Sequence, residues 1–419
     1  MTSPRDLKIA IIGGGMCGLA CAVGLVRAGI PVEIFEAAPK FEEVGAGVGL
    51  GPNAIRALTA LGVMDAVQAR ADQPKPTPRP YRVISGMPGH EHVYDFSISD
   101  EDCGLGIHRA AFLDALVELV DPNITHFNKR CTSISKSSTR STVHFSDGST
   151  HEADVIIGAD GIRSAVRGSV VDDKHLAFTN AVAYRGLVSA QTLKDAGFKT
   201  NASERPINFV GNDKHVIAFP MRSGQTINIV AFARNRQIPM GFIEIPPGQS
   251  WVTPVSKQDL LDEFSGWGSD VMALLGCIQK PSKWSLHAVY PPLETYVSGN
   301  IALIGDSAHA MLPHLGAGVG EGFEDVLVLC RLLSEPQTNA SNVASVLQAY
   351  DNVRRPRANM VQQASTIAGD IYEGYGKPGF TVEEMRERLS GIWDPIWHHD
   401  LEADIAKAVQ SLKENGSFV

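Results

Sequence analysis

The residues most suggestive of chemistry lie at the start of the chain, where glycines follow an apolar run. Ile9 to Ile12 predicts a short buried strand, and the spacing Gly13-x-Gly15-x-x-Gly18 follows it directly, before a predicted helix rich in small residues. In such a turn the first glycine makes the corner, the second lets the backbone approach a pyrophosphate, and the third allows close helix–strand packing. The N-terminus of the helix offers unpaired N–H groups to that pyrophosphate. The spacing therefore predicts binding of the ADP part of a dinucleotide.

An acidic residue supports this interpretation. Glu36 follows the second predicted strand, Pro31 to Phe35, and is placed to bond a ribose hydroxyl. The uncharged stretch from Ile9 to Val26, behind Arg5 and Lys8, also resembles a signal peptide or a short membrane span. Its five glycines are unfavourable for a span, and a signal does not need a strand–turn–helix–strand–acid order. The pattern does not distinguish NAD from FAD.

Composition narrows the class of protein. The chain has 419 residues, enough for two or three domains, and 44% of them are hydrophobic. A net charge of −9 without a basic run argues against nucleic acid and anionic membranes as partners. The six cysteines are scattered and form no CxxC pair, which disfavours a metal site or a disulfide framework. We expect a soluble, cytoplasmic protein that binds no metal.

Three further charged residues follow predicted strands or begin helices. Asp160 follows the apolar strand Val155 to Ile157, and Asp306 follows the strand Asn300 to Ile304. In α/β domains ligands sit at the carboxyl ends of strands, so both carboxylates are candidates to bind a cofactor. Arg109 lies in the first turn of a predicted helix, where the helix dipole disfavours a cation. Contact with an anion such as phosphate would explain that position, and a surface arginine is the alternative.

Two glycine-rich stretches are predicted to be loops, Gly45 to Gly51 and Gly316 to Gly322. Glycine at every second place suits a backbone pressed against a flat ligand, and a flexible loop is the alternative. Between them, β-rich runs from about Ala181 to Gly241 predict a mixed or antiparallel sheet in a second domain. Arg185 lies in one of these apolar strands and needs a partner anion, either a protein carboxylate or a ligand.

The predicted helices of the last third are less regular. From Tyr350 to Asp370 the pattern predicts a helix interrupted at Pro356, and Trp393 to Leu412 predicts an amphipathic helix. Trp393 and Trp397, four residues apart, favour core or interface packing over a ligand site.

Three segments together resemble a known family. They are GGGMCGLACAVGL with Glu36, GADGIRSAVR at 158–167, and GDSAHAMLPHLGAGVGEGFED at 305–325. Their order and separation resemble the group A, single-component flavoprotein aromatic hydroxylases, which have the para-hydroxybenzoate hydroxylase fold. AYRGLV and the tail WDPIWHHDLEAD are most similar to the salicylate-hydroxylase-like branch. The similarity extends from Lys8 to about Ala408.

The resemblance implies an α/β protein with a Rossmann-like FAD-binding domain, an inserted mixed β-sheet substrate domain and C-terminal helices. Residues 1–72, 101–175 and 285–370 would form the discontinuous FAD-binding domain. Residues 73–100 and 176–284 would form the substrate domain, and residues 371–419 a C-terminal helical segment. The protein would be a monomer or a homodimer.

The resemblance also implies site residues. Those that would bind FAD are Gly13, Gly15, Gly18, Glu36, Gly49, Arg109, Asp160, Asp306, Gly316, Gly318 and Val319. Arg185 matches an arginine that acts at the substrate or the moving flavin in some members. His314 is the preferred candidate for a proton acceptor, because histidine has a pKa near working pH, and a loop histidine that fixes backbone geometry is the alternative. His309 and His215 are less favoured.

The implied reaction is reduction of FAD by NADH or NADPH, addition of O2 to give a flavin C4a-hydroperoxide, and hydroxylation of a small phenolic or aromatic acid. Salicylate-type hydroxylation fits best, and Arg185 or Arg222 could bind the carboxylate. The alternatives are a secondary-metabolism hydroxylase or epoxidase acting on a larger phenolic or terpenoid substrate, an FAD-dependent reductase or halogenase, and a non-catalytic nucleotide-binding protein.

Overall fold

The computed structural model describes residues 6–41, 47–71, 73, 75–78, 80–96, 99–137, 139–172, 175–246 and 248–418. Strands occur along most of this part of the chain, and they are short except in the region after residue 175. The strands are β1 (Ile9–Ile12), β2 (Val32–Phe35), β3 (Gly47–Leu50), β4 (Thr77–Pro78), β5 (Arg82–Ser85), β6 (His92–Asp95), β7 (Cys103–His108), β8 (Thr125–His126), β9 (Cys131–Ser135), β10 (Ser141–Phe145), β11 (Thr150–Ala153), β12 (Val155–Gly158), β13 (Leu176–Ser189), β14 (Ile207–Gly211), β15 (Lys214–Met221), β16 (Thr226–Arg234), β17 (Val252–Pro254), β18 (Ser282–Val289), β19 (Val297–Ser298) and β20 (Ile301–Leu303).

Helices separate these strands and dominate the last quarter of the chain. The helices are α1 (Met16–Arg27), α2 (Pro52–Ala60), α3 (Met64–Gln68), α4 (Arg109–Val117), α5 (Ala190–Asp195), α6 (Lys257–Glu263), α7 (Ser269–Gly276), α8 (Asp306–His309), α9 (Gly318–Leu333), α10 (Val343–Tyr372), α11 (Val382–Leu389), α12 (Asp394–Trp397) and α13 (Leu401–Glu414). Among the described residues, no helix has an apolar run long enough to cross a bilayer.

A six-stranded sheet forms the first layer, in the order β19-β20-β12-β1-β2-β8. β1 lies between two parallel neighbours, with Ile9 opposite Val155 on one side and Val32 on the other. All four residues of β1 are buried because the sheet is covered on both faces, which explains an apolar run without alternation. The parallel order confirms the predicted α/β fold class and brings the carboxyl ends of β1, β2, β12 and β20 to one edge.

An eight-stranded sheet forms the second layer, in the order β17-β18-β13-β16-β15-β14-β5-β6. The pairs are antiparallel except β14 with β5, so the sheet is mixed, as the sequence predicts. One face packs on α6 and α7 through buried residues such as Phe209, Ile229, Leu260 and Phe264. The end of α10, α11 and α12 pack together around Val83 and Val210 of the same sheet.

Two predictions for helices near the end of the chain are wrong. α10 runs unbroken through Pro356, because it packs along α9 and buried ion pairs of Arg354 and Arg357 fix the turns on both sides of the proline. The predicted C-terminal helix is instead two helices, α12 and α13. Asp400 separates them and caps the second by accepting a hydrogen bond from the N–H of Ala403 at 3.0 Å.

Two other segments differ from expectation near the cofactor motifs. Gly47–Leu50 is a strand, because its backbone pairs with 105–108 of β7, whereas Gly45 lies outside the described residues. The residues from Arg163 onward form turns and a short 3-10 helix, Arg167–Ser169, although the apolar strand before them would ordinarily lead into an α-helix in such a sheet. Asp160 causes this, because its carboxylate accepts hydrogen bonds from the N–H groups of Ala165 at 2.7 Å and Val166 at 3.2 Å and holds the turn compact.

Candidate active site

The glycine turn after β1 has three glycines with different constraints. Gly13 has φ +106°, and a Cβ there would overlap the backbone of Ala159. A Cβ at Gly18 would overlap the carbonyl of Gly13. Gly15 has an ordinary extended backbone, and apart from its own helix and chain neighbours no atom of the described residues lies within 4 Å of the position a Cβ would take. The fold therefore requires glycine at 13 and 18, while only an approaching ligand would require glycine at 15.

Glu36 lies at the carboxyl end of β2, beside this turn. Its Oε2 accepts a hydrogen bond from the N–H of Gly14 at 2.6 Å, and its Oε1 accepts one from Ala38 at 2.7 Å. The carboxylate is thus held at the open end of the turn, where a ribose would lie beside the helix N-terminus.

A cavity of about 580 Å³ lies between the eight-stranded sheet and the glycine-rich start of α9. It is lined by eight of the predicted site residues: Gly49, Arg109, Arg185, Asp306, His314, Gly316, Gly318 and Val319. Gly13, Gly15, Gly18, Glu36 and Asp160 do not line this cavity; they lie at the glycine turn and the turn after β12. The predicted residues therefore fall into two groups.

Asp306 connects the two groups. Asp306 is the first residue of α8, directly after Gly305 at the carboxyl end of β20, and it lines the cavity. The N–H of Gly305 donates to Asp325 Oδ2 at 2.8 Å, and His309 Nε2 lies 2.6 Å from the same oxygen. Nε2 of His309 is thus hydrogen-bonded to Asp325. The hydrogen bonds of Gly305 and His309 to Asp325 hold Asp306 at the cavity wall.

A network of buried ion pairs joins Asp325 and its neighbours on α9 to α10. Arg354 of α10 donates to Glu321, Glu324 and Asp325 of α9 at 2.7, 2.6 and 2.8 Å. Arg357 adds two hydrogen bonds to Glu324, which also accepts from Asn53 of α2 at 2.9 Å. Although burial opposes ionisation, Arg354 and Arg357 lower the pKa of Glu324 to about 2. The network fixes α9, whose N-terminus is the glycine-rich cavity wall, against α10 and α2.

The contacts of Arg185 are those expected of a cation whose binding partner is a ligand. It lies on β13 between β16 and β18, with its guanidinium 4.6 Å from the centre of the Trp284 ring. Its Nε is buried and has no hydrogen-bond partner among the described residues. Burial and the nearby charge of Arg109 lower its pKa. The described residues give Arg185 no carboxylate partner, so the structure favours the ligand interpretation.

His314 faces the same cavity from the loop before α9. Its side chain is 4% exposed, and neither ring nitrogen has a partner among the described residues. Burial, helped by the neighbouring His215, lowers its pKa to about 3, so the imidazole is neutral at physiological pH. A neutral imidazole with a free nitrogen can accept a proton from a substrate hydroxyl.

Two features were not predicted as functional: the Trp393–Trp397 pair at the cavity, and Glu373 beside His215, which was only a less favoured candidate. Trp393 and Trp397 stack with ring centres 5.1 Å apart and line the cavity, in addition to packing on the core as predicted. Their spacing of four could have indicated a shared face but not a cavity. His215 contacts His314, with ring centres 5.1 Å apart, and Glu373 lies beside it. No local sequence signal joins Glu373 to these histidines.

The fold and the site define a class. A parallel sheet carries a glycine turn with a carboxylate beside it, and a cavity nearby is lined by glycine backbone, arginines and a neutral histidine. Such a site would bind a dinucleotide cofactor with its reactive ring next to an aromatic substrate.

Comparison with known proteins gives the family. The FAD binding domain family matches residues 6–100 and 124–365. The chain is 41% identical to a salicylate hydroxylase of Pseudomonas putida over 96% of this chain and 94% of that protein. It is 34% identical to 6-methylsalicylate 1-monooxygenase of Aspergillus terreus over 98% and 93% of the two chains. A solved salicylate hydroxylase substrate complex superposes with a TM-score of 0.87 at 36% identity, covering 96% and 98% of the two chains.

The chain therefore belongs to the single-component FAD-dependent aromatic monooxygenases. This confirms the family, the fold class and FAD as the cofactor that the sequence predicts.

Proposed function

We propose that the protein hydroxylates a small phenolic acid of the salicylate type, with NADH or NADPH as electron donor and O2 as co-substrate. The observation that carries this proposal is the pairing of a cation and a neutral base in one cavity. Arg185 has no carboxylate partner among the described residues, and His314 lines the same cavity in its neutral form. A phenolic acid has the matching groups, a carboxylate and a hydroxyl.

The residues present fit FAD. Gly15 leaves space at the helix N-terminus for the pyrophosphate, and Glu36 is placed for the ribose. Arg109 would bind phosphate, Asp306 the chain between phosphate and ring, and Gly49, Gly316, Gly318 and Val319 would lie along the ring. Asp160 would act through the turn that it holds. Bound FAD would supply the oxygen chemistry with electrons from the nicotinamide.

This chain's own residues would orient the substrate and take its proton. Arg185 would bind the carboxylate by charge-assisted hydrogen bonds. His314 would accept the phenolic proton, which makes the ring more electron-rich at the carbon to be hydroxylated. Apolar residues such as Phe219, Phe232 and Tyr372 line the rest of the cavity and would exclude water from the reaction.

The assay uses purified holoenzyme with salicylate and NADH or NADPH. We expect bleaching of the yellow flavin that is much faster with salicylate present, followed by formation of catechol and CO2 on admission of air. Oxidation of the nicotinamide without catechol would contradict the salicylate assignment. In that case bulkier phenols would be screened, and turnover of these alone would indicate a secondary-metabolism substrate.

Gly15→Ala should weaken FAD binding without disturbing the fold. The added methyl meets no atom elsewhere in the described part of the chain but would enter the space of the pyrophosphate. The cost is about 1–3 kcal/mol, which is roughly 5- to 150-fold in Kd. Titration of apoprotein with FAD, followed by flavin fluorescence, measures this change. Gly18→Ala is the contrasting variant and should lose folded protein, because its methyl overlaps the backbone. Equal FAD affinity in wild type and Gly15→Ala would contradict the assigned pyrophosphate position.

Gly369→Ala should impair hydroxylation through His314. A Cβ at Gly369 of α10 would lie 2.7 Å from Nε2 of His314, so the ring must move. A displacement of this order at a reacting group costs roughly 10- to 100-fold in rate. We expect nicotinamide oxidation to continue while product per NADH falls. Gly276→Ala at the end of α7, with open space at its Cβ, is the matched control and should be fully coupled. Unchanged coupling in Gly369→Ala would argue against a role for His314.

A further inference from the structure

A buried cluster of two histidines and one glutamate lies behind the cavity wall. His215 of β15, His314 and Glu373 at the end of α10 place their polar atoms within 4.8 Å of one another. Nδ1 of His215 lies 3.2 Å from Oε1 of Glu373, and the side chains are 0% and 1% exposed. Only His314 of the three lines the cavity. The cluster thus extends inward from the candidate proton acceptor.

The polar atoms of the cluster lack ordinary partners. Both ring nitrogens of His215, both of His314 and Oε1 of Glu373 form no well-aligned hydrogen bond within the described part of the chain. A buried polar atom in this condition costs about 1–3 kcal/mol, so native proteins seldom keep several together unless they have a function. The rings pack well, since His215 stacks on Phe232 with centres 4.5 Å apart. Packing therefore explains the orientation of the rings but not their chemistry.

Glu373 is also in an unfavourable place for a carboxylate. It caps the C-terminus of α10, where the helix dipole opposes negative charge, and it is fully buried. Its ionised form is retained because of its neighbours. Burial opposes ionisation, but His215, His314 and Arg236 lower the pKa of Glu373 to about 2. Oε2 of Glu373 accepts a hydrogen bond from Arg236, which leaves Oε1 directed at His215.

The surrounding charges oppose a divalent metal ion more strongly than they oppose a single proton. Two arginines of β16 and the segment after it lie close enough to disfavour positive charge on His314. A divalent cation would meet both arginines, whereas one proton adds a single charge beside the carboxylate. The charged and titratable groups around the cluster are Asp213, Arg234, Arg236, Asp370, Tyr372 and Lys377.

We propose that Glu373 is a positioning residue that makes the His215–His314 pair a proton-accepting unit for the phenolic substrate. This inference rests on the proposed function. The substrate O–H bond breaks, its proton forms an N–H bond in the histidine pair, and the negative charge of Glu373 stabilises the resulting imidazolium. When the ring regains aromaticity after hydroxylation, the proton returns to the ring oxygen. No external acid or base is needed for this exchange.

The test compares Glu373→Gln with Asp370→Asn. Both residues bind Arg236, but Asp370 is 48% exposed and, among the described residues, forms no hydrogen bond or ion pair with either histidine, so it is the matched control. The pH dependence of turnover is measured in holoenzymes that have equal FAD content and equal melting temperature. Removing the carboxylate makes the pair a weaker base. We expect the acid limb of the Glu373→Gln profile to move down by about one pH unit, with a plateau about 10-fold lower.

Asp370→Asn should keep the wild-type acid limb. Glu373→Asp retains the charge and should recover the position of that limb, which a purely structural role would not do. A lower plateau in Glu373→Gln with an unmoved acid limb would overturn the inference and leave the proposed function standing. About one equivalent of Zn²⁺ in wild-type holoenzyme, lost in Glu373→Gln, would also overturn it and assign a metal site. Failure of every aromatic acid to give product would overturn both proposals.

Discussion

Arg354→Met is expected to destabilise the protein by about 3–5 kcal/mol, the range measured when one partner of a buried ion pair is removed. The side chain is 0% exposed and binds three carboxylates, and methionine fills a similar volume without charge. Glu321, Glu324 and Asp325 would then face one another with Arg357 as the remaining arginine of the network, so protonation of a carboxylate or separation of α9 from α10 would follow.

The effect should also reach the cofactor. Asp325 accepts a hydrogen bond from the N–H of Gly305, and Glu324 accepts one from the side chain of Asn53. Loss of the network would therefore loosen two walls of the cavity. We expect FAD to dissociate at lower urea concentration than in the wild type, together with the loss of tryptophan fluorescence that reports unfolding. The urea midpoint and the flavin fluorescence midpoint measure the two events.

Arg331→Met is the matched control. Arg331 lies on α9 as well and pairs with Glu402 at 3.2 Å, but the two side chains are 51% and 58% exposed. Exposed pairs contribute about 0–1 kcal/mol, so its urea midpoint should change little. Similar midpoints for the two variants would show that the buried network contributes no more to stability than a surface pair.

The second large effect is expected from Arg185→Gln on substrate binding. A charge-assisted hydrogen bond is worth about 1.5–3 kcal/mol, and a carboxylate would enter a buried site without its partner. We expect KM for the phenolic acid to rise roughly 10- to 150-fold. FAD content should be unchanged, because Arg185 lies on the eight-stranded sheet and not at the glycine turn. Steady-state kinetics with salicylate and a fixed excess of nicotinamide cofactor give the measurement.

Two controls separate charge from shape. Arg222→Gln removes the other arginine considered as a partner for the substrate carboxylate. Arg222 lies in the turn between β15 and β16, has φ +50° and lines the cavity. Binding of a phenol without a carboxylate should be insensitive to Arg185→Gln. A larger KM effect from Arg222→Gln than from Arg185→Gln would move the carboxylate site to that turn.

Local patterns in the sequence predicted correctly that the glycine turn and Glu36 lie side by side. Gly13, Gly15, Gly18 and Glu36 lie within one strand–turn–helix–strand unit, so their spacing in sequence determines their spacing in space. Asp306 could be predicted for the same reason, because the carboxyl end of a parallel strand is a fixed place in such a sheet.

The substrate end was less predictable. His215 and Glu373 come from a strand and a helix end far apart in the chain, and only the packing of α10 against the second sheet brings them together. Pro356 misled the helix prediction, because tertiary contacts of Arg354 and Arg357 outweigh the local preference of proline. Glycine at alternate positions in 47–50 suggested a loop, although pairing with β7 makes a strand.

The strand order of the first sheet has a consequence for how the chain folds during synthesis. β1 pairs with β12 through Ile9 and Val155, and β12 pairs with β20 through Ile156 and Ile301. On the ribosome, β1 is made early, but the sheet cannot be completed until β20 emerges. Such non-local pairing slows folding and exposes apolar strands meanwhile. We therefore expect nascent chains that end before residue 300 to need chaperones, and the glycine turn to acquire affinity for FAD late in synthesis.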